Sequence, residues 1–193
     1  MRGPQTFALL PFGTSPAALG LELRGHLLRE GNRLQVRYGL SGDLASVVLP
    51  PPAAGGPRRV DGLWEHTCFE LFLAAEGEEP YWEVNLAPNG DWNLYRLEGY
   101  RRGLAPVADR EALPVVVHHG PKELRLTLTL QLPEELAADC RTRALRLGVT
   151  AVIEKAGGGL SFWALAHWGA EADFHRREDF LLRLEGGCRT ADT

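Results

Sequence analysis

The stretch LWEHTCFELFLAAEGEEPYWEVNLAPNGDWNLYRLEGYR, residues 63–101, decides the fold of this chain. It holds three of the five tryptophans and three of the four tyrosines. Polar and apolar side chains alternate in it over three runs, residues 68–73, 81–86 and 91–97. Because a β-strand sends successive side chains to opposite faces, each run predicts a strand with an apolar face and a more polar one.

The three predicted strands place their polar side chains together if they are neighbours in one antiparallel sheet. The connection Ala-Pro-Asn-Gly-Asp at 87–91 is typical of a hairpin turn, since Asn-Gly tolerates positive φ. We therefore expect one side of this sheet to be core. The other side would carry a polar patch made of Glu70, Glu83, Asn85, Asn93 and Tyr95.

Strand patterns continue along the rest of the chain. They lie at 6–12, 19–28, 34–40, 47–49, 115–118, 124–132, 145–154, 160–166 and 180–184, the first of them as an edge strand. One short helix is predicted at 133–140, where acids follow a proline at a plausible first helical position. A chain of about ten short strands with almost no helix indicates two packed antiparallel sheets, with a closed barrel as the alternative.

Length and composition fit a single domain over residues 1–193 in the cytoplasm. The formal net charge of -4 predicts no broad attraction to nucleic acid or to an anionic membrane. Neither a signal peptide nor a membrane-spanning run is expected. The three cysteines are widely spaced and form no CxxC pair, which favours free thiols in a reducing cytosol.

Four motifs carry a family resemblance: WEHTCFELFL at 64–73, YWEVNLAPNGDWNLYRLEGYR at 81–101, FWALAH at 162–167 and ADFH at 172–175. In this order they resemble the DOMON-like group of the carbohydrate-binding family 9 and DOMON superfamily, over residues 34–184. The resemblance implies a jelly-roll-like β-sandwich with a ligand site on one sheet or at its rim, used across the superfamily for sugars or haem. The group resembles bacterial proteins, some associated with a cell-wall sugar-nucleotide reductase.

Tryptophans near strand ends are candidate sugar contacts, because an aromatic face packs well against the apolar face of a pyranose. Strand parity places Trp82 and Trp92 on the core side and leaves Trp64, Trp163 and Trp168 as candidates. Core or rim packing is the competing interpretation of each.

The polar face supplies a second set of candidates in Glu70, Glu83, Asn85 and Tyr95, with Arg101 close behind in the chain. A sugar site would use the acids and the amide to bind hydroxyls. A hard-cation site would use carboxylate and carbonyl oxygens, with calcium as its natural occupant. The competing interpretation is a structural network in which Arg101 and Tyr95 satisfy the acids.

A third set, His167, Asp173 and His175, lies in the predicted loop between the last two strands, and His66 lies in the earlier motif. Two histidines and an acid would suit a transition metal, although their spacing is not diagnostic. Capping of loop amides by Asp173 or His175 is the competing role. Haem is disfavoured because the sole methionine is Met1 and no CxxCH is present, so no cofactor is predicted.

Catalysis ranks below binding in this sequence. Glu70 and Glu83 would suit a glycosidase only with their carboxyl groups about 5 to 9 Å apart in a cleft. The chain contains no GxSxG, Walker or dinucleotide motif and no His-Glu-x-x-His. The sequence therefore predicts a non-catalytic module for a carbohydrate or sugar-containing metabolite, with the polar face holding hydroxyls and a rim tryptophan stacking on the ring. A structural or protein-interaction domain is the alternative, and the oligomeric state is left open.

Overall fold

Antiparallel strands make up nearly all the regular structure of the chain. A computed structural model describes residues 3–53, 55–108 and 110–186, so Cys188 lies outside it. Twelve strands lie in the described residues: β1 Gln5–Pro11, β2 Leu21–Glu30, β3 Arg33–Gly42, β4 Cys68–Ala75, β5 Tyr81–Leu86, β6 Trp92–Leu97, β7 Ala105–Pro106, β8 Val115–His119, β9 Glu123–Gln131, β10 Leu145–Glu154, β11 Leu160–Ala164 and β12 Leu182–Leu184. Two short helices accompany them, α1 Pro16–Leu19 and α2 Glu134–Asp139.

The strands follow one hydrogen-bonded path in the order β7-β6-β5-β4-β10-β11-β1-β2-β3-β9-β8, with β12 also paired to β10. β1 connects the two halves of this path. Its residues 5–9 pair with β2, while Leu10 and Pro11 pair with Ala164 and Trp163 of β11. The expectation of an edge strand at 6–12 is therefore wrong. Pro11 lacks an N–H, but it lies at the end of β1, where only a short ladder has to form.

Both halves of the curled sheet contribute to one main core. Leu23, Leu40 and Leu126 come from one half and Leu71 and Val84 from the other, all buried in the same cluster. The prediction of an all-β antiparallel fold with little helix is confirmed. The ladder is continuous through β1, so the strands form a single curled sheet and not clearly two separate ones.

The local elements agree with the sequence at most positions. Helix α2 lies in the predicted segment, and Leu136, which packs into the core, lies on its buried side. Helix α1 was not expected, although its signals are local: Ser15 caps its first turn, and Gly20 ends it in the left-handed region at φ 65°. The strand expected at 47–49 is reduced to a single bridge between Val47 and Lys155.

Strands β4 and β5 are buried on both faces, unlike β9, whose side chains alternate between buried and partly exposed. An antiparallel sheet commonly leaves one face in contact with water, so in this protein other segments of the chain must cover the second face of β4 and β5.

Within the described residues, no helix is long and apolar enough to cross a membrane.

Candidate functional site

The polar residues of the central strands share one face, as their alternation predicts. Glu70 of β4 lies opposite Asn85 of β5, which lies opposite Asn93 of β6. In the next row Glu83 lies opposite Tyr95. Directly opposed residues of an antiparallel pair point to the same side, and residues two apart on one strand do so as well. All five side chains therefore emerge together, away from the main core.

Two loops cover this polar face. The first contains the 3-10 turn Leu63–Glu65, from which the Trp64 ring contacts the Tyr95 ring at 5.9 Å. The second is the segment 165–181, whose Phe180 packs against Phe72 at 5.6 Å between ring centroids. Gly148 of β10 makes this packing possible, because a Cβ there would lie 2.9 Å from the Phe180 ring. The two loops therefore roof part of the polar face.

A cavity of about 310 Å³ remains between the polar face and the two loops, and we call it the acid pocket. Its polar lining comes from Glu70 and Glu83 on the sheet and from Arg101 and His175 in the loops. The other lining side chains are aromatic or aliphatic: Trp64, Leu97, Leu104, Val152, Phe162, Ala172 and Phe174. A mostly apolar wall with a few convergent polar groups is the usual makeup of a small-molecule site.

The two pocket carboxyls are nearly inaccessible, with Glu70 3% and Glu83 4% exposed. Glu83 Oε1 accepts a hydrogen bond from Asn85 Nδ2 at 2.8 Å, and Glu70 Oε2 accepts one from Thr150 Oγ1 at 3.1 Å. Their other oxygens, Glu70 Oε1 and Glu83 Oε2, have no hydrogen-bond partner among the described residues. Among the described residues, each carboxyl is thus held through one oxygen only.

Burial raises the pKa of both carboxyls, since the charged form loses its water. The charge of Glu83 raises the pKa of Glu70 further, and the hydrogen bond from Thr150 opposes this only in part. For Glu83, the hydrogen bond from Asn85 and the positive charge of Arg101 oppose the effect of burial. The floor of the acid pocket consequently holds protons more tightly than exposed acids do.

Arg101 has an unusual backbone conformation, and its side chain forms an ion pair with Asp173. Its φ of 51° is the sole positive value at a non-glycine residue in the described chain, a strained conformation for a residue with a side chain. Its guanidinium lies 2.9 Å from Asp173 Oδ1, which also accepts from the backbone N–H of His175 at 3.1 Å. Despite partial burial, the hydrogen bonds from Tyr100 and Arg101 lower the pKa of Asp173. Asp173 thus caps a loop amide and pairs with the pocket arginine at once.

The His175 imidazole is neutral at physiological pH. Burial, reinforced by the positive charge of Arg101, lowers its pKa to about 4. Its Nδ1 lies 2.7 Å from the Tyr81 hydroxyl, which accepts the backbone N–H of Arg101 at 3.3 Å. Burial raises the Tyr81 pKa, so that hydroxyl keeps its proton, and since it has no other acceptor among the described residues it donates a hydrogen bond to Nδ1. The remaining ring proton of His175 is then on Nε2, as a donor.

Comparisons with known proteins show a shared fold and assign the chain to no family. No protein-family model matches the chain, and no curated protein matches it. Among solved structures, it is similar to a protein from Bacteroides uniformis ATCC 8492 described as a "putative carbohydrate-binding protein". The two share 13% identity over 91% of this chain and 83% of that one, with a TM-score of 0.65. At that identity the similarity shows a shared fold alone.

Five of the ten predicted ligand residues line the acid pocket: Trp64, Glu70, Glu83, Arg101 and His175. Asn85 lies directly behind them as the partner of Glu83, and Asp173 holds Arg101.

Tyr95 has a different place, next to the pocket wall. Its hydroxyl donates to Asp61 Oδ1 at 2.7 Å and accepts from Asn93 Nδ2 at 2.8 Å. Asn93 Nδ2 also reaches Asp61 and the carbonyl of Val60. This network fastens the loop that carries Trp64. It differs from the predicted one, because Tyr95 donates to Asp61 and Arg101 to Asp173, and neither satisfies Glu70 or Glu83.

Trp163 and His167 do not line the pocket. Trp163 lies opposite Ala151 on the core face of β11 and is 0% exposed, so its neighbour Phe162 faces the pocket instead. His167 donates Nε2–H to the Leu10 carbonyl at 2.8 Å and packs on Phe12. Strand pairing and the path of the second loop, neither visible in the local sequence pattern, decide both placements.

The histidines and acids of the described chain do not assemble a metal centre. No group of three or more His, Cys, Asp or Glu side chains there could hold a metal ion. His66 pairs with Glu154 at 2.8 Å, and His167 and His175 have the separate partners described above. Sequence reasoning missed most of the apolar lining, although Phe162 and Phe174 lie within or beside its motifs FWALAH and ADFH.

Proposed function

We propose that the protein is a non-catalytic carbohydrate-binding module whose acid pocket holds a single sugar ring, free or as part of a larger metabolite. The observation that carries this proposal is the combination of convergent carboxyl groups and aromatic walls in one cavity. Carboxyls and amides bind hydroxyls, while the Trp64, Phe162 and Phe174 rings suit the apolar faces of a pyranose. The cavity volume of about 310 Å³ is at the lower end of ligand sites, which favours one ring over a long oligosaccharide.

The similarity to the Bacteroides uniformis protein supports the same function, as far as its description goes. A relationship to the DOMON-like group, with a jelly-roll-like sandwich as the fold type, is part of this proposal. So are a cytoplasmic location, a small-molecule partner and the absence of nucleic-acid binding.

Binding is favoured over glycoside hydrolysis by the state of the two carboxyls. Hydrolysis needs one ionised carboxylate and one protonated acid in distinct environments. Here burial raises the pKa of both Glu70 and Glu83, which works against the ionised carboxylate that hydrolysis needs. Tyr81 occupies the hydrogen-bonding position of His175 Nδ1, which leaves that nitrogen unable to serve as a base.

Tryptophan fluorescence and calorimetric titration with a panel of mono- and disaccharides test the proposal. Trp64 lies on the rim at 36% exposure and lines the pocket, whereas Trp168 is 67% exposed and is not among the lining residues. We expect Trp64→Ala to weaken sugar binding about tenfold or more, and the control Trp168→Ala to keep wild-type affinity. A flat response across the whole panel would refute carbohydrate binding.

The alternative function, a structural or protein-interaction domain, is favoured by the satisfied network of Tyr95, Asn93 and Asp61. Glu83→Gln separates the two. Its new amide still offers an oxygen to Asn85 and carries no charge to bury, so a binding site loses affinity while the melting temperature is kept or raised. A purely structural role predicts a lower melting temperature and no ligand effect.

A further inference from the structure

We propose that the acid pocket selects a ligand bearing a protonated amine, so that its preferred sugars are amino sugars with a free amino group. This inference rests on the proposed function and specifies the class of sugar.

The argument begins with the two pocket carboxyls. Glu70 and Glu83 lie diagonally on adjacent strands, since Glu70 is opposite Asn85 and Glu83 is two residues before Asn85 on β5. Diagonal neighbours of this kind are within reach of long side chains. Both are more than nine-tenths buried, and each keeps one oxygen without a hydrogen-bond partner in the described chain. Two acids placed this closely need a proton or a cation between them.

The protein supplies only part of the positive charge that two neighbouring carboxylates need. Arg101 is the sole arginine or lysine lining the pocket in the described residues, and Asp173 holds its guanidinium at 2.9 Å. His175, the other basic side chain of the lining, is neutral and accepts a hydrogen bond from the Tyr81 hydroxyl. The pocket thus has two free carboxyl oxygens, and neither basic side chain of its lining donates to them in the described residues.

A primary ammonium matches these acceptors. It carries three N–H donors on a compact charge, so it can donate to Glu70 Oε1 and Glu83 Oε2 together. The aromatic rings of Trp64, Phe162 and Phe174 around the same cavity attract a cation through their π faces. A metal ion matches less well. Calcium takes six to eight oxygens, and the described residues hold no cluster of three metal-ligating side chains.

The other titratable groups near the carboxyls keep one charge state around neutral pH. Burial raises the pKa of the acidic ones, Tyr38, Cys68, Tyr81 and Tyr95, and leaves them protonated. The charged neighbours are the Arg101–Asp173 pair, Asp61 held by Tyr95, and Arg177 above the Tyr81 ring. Glu70 and Glu83 are therefore the groups whose protonation a cation changes. Its positive charge lowers the pKa of both carboxyls, so its binding displaces any proton that they carry.

Calorimetric titration with matched sugar pairs tests the proposal: glucosamine with glucose, galactosamine with galactose, and mannosamine with mannose. The members of each pair differ at one substituent, amine against hydroxyl. We expect at least one amino sugar to bind about tenfold or more tightly than its partner, as a charge-assisted hydrogen bond provides. N-acetylglucosamine, which has no ammonium, should bind as weakly as glucose.

Two further measurements identify the carboxyls as the cause. Titrations at about pH 7 in buffers of different ionisation enthalpy should show net proton release with the amino sugar and none with its neutral partner. Glu70→Gln keeps an oxygen for Thr150 but removes a charge, and should reduce amino-sugar affinity about tenfold or more while changing neutral-sugar affinity less than about threefold. Thermal melting confirms that the variant is folded.

Equal affinity within every pair, or no effect of Glu70→Gln on amino-sugar binding, would overturn the amine preference and leave the carbohydrate module standing. Binding of simple alkylamines without any sugar would overturn the carbohydrate module and keep the cation site. No binding of any of these compounds would overturn both, and tighter binding of Ca²⁺ than of every amine would replace the ammonium with a metal.

Discussion

Removing the Tyr95 hydroxyl is the sharpest test of how the first pocket loop is held. In Tyr95→Phe the ring can keep its contact with Trp64, but the hydrogen bond to Asp61 at 2.7 Å is lost. Asn93 Nδ2 keeps Asp61 and Val60 as acceptors, and water can reach the exposed Asp61, so no buried group is left unpaired. Tyr95→Phe removes both hydrogen bonds of the hydroxyl, but Asn93 and Asp61 keep other partners, so the net loss is about 1–2 kcal/mol.

For a protein of 193 residues, a loss of this size lowers the melting temperature by about 2–8 °C. Thermal unfolding followed by circular dichroism measures it, with urea unfolding as a second measurement of the free energy. Tyr100→Phe is the matched control, because Tyr100 also donates to an aspartate, Asp173, but is 53% exposed. We expect the control to stay within about 0.5 kcal/mol of the wild type. If both variants melt with the wild type, the Tyr95 network does not hold the loop.

Three other predictions concern protonation and close packing. Burial raises the Glu70 pKa, so the unfolded chain releases a proton above about pH 4.3 that the folded protein keeps. The contribution of Glu70 to stability is thus lost as pH rises. Urea unfolding should show Glu70→Gln more stable than wild type at about pH 8 but not at about pH 4. An equal difference in the free energy of unfolding between variant and wild type at the two pH values would contradict this. With a pKa of about 4, the His175 ring should keep the NMR shifts of its neutral form on lowering the pH from about 7 to about 5, and a midpoint above about 6 would be inconsistent with its burial. Gly25→Ala should lower the free energy of unfolding, measured in urea, by about 3 kcal/mol or more, because its Cβ would lie 2.0 Å from the Arg37 carbonyl oxygen. The control is Gly157→Ala, whose Cβ meets no described atom within 4 Å. Equal stability of the two variants would refute the clash.

The sequence predicted the strands that carry the site because the period-two signal is local. Glu70, Glu83 and Asn85 alternate with large apolar residues, so only one assignment of faces buries the apolar set. The same reasoning is ambiguous in β11, where Phe162 and Trp163 are adjacent large rings. Either could face the core, and pairing of β11 with β10 decides that Trp163 does.

The sequence could not predict that the polar face would be buried. That burial depends on Phe180 folding back onto Phe72 in the space left by Gly148, a contact between residues far apart in the chain. Nor could it predict that β1 would join the two halves of the sheet. Residues 5–11 show a strand pattern, but the pattern does not indicate which strands they pair with.

By itself, the sequence determined an all-β antiparallel chain and a common face for Glu70 and Glu83, since both follow from the alternation of neighbouring residues along a strand. Only the tertiary structure decided that the face becomes the floor of a partly open pocket that Arg101 and His175 also line. The physical reason is that burial and electrostatics depend on loops brought together across the whole chain, and the burial they cause raises the pKa of both carboxyls at the cavity.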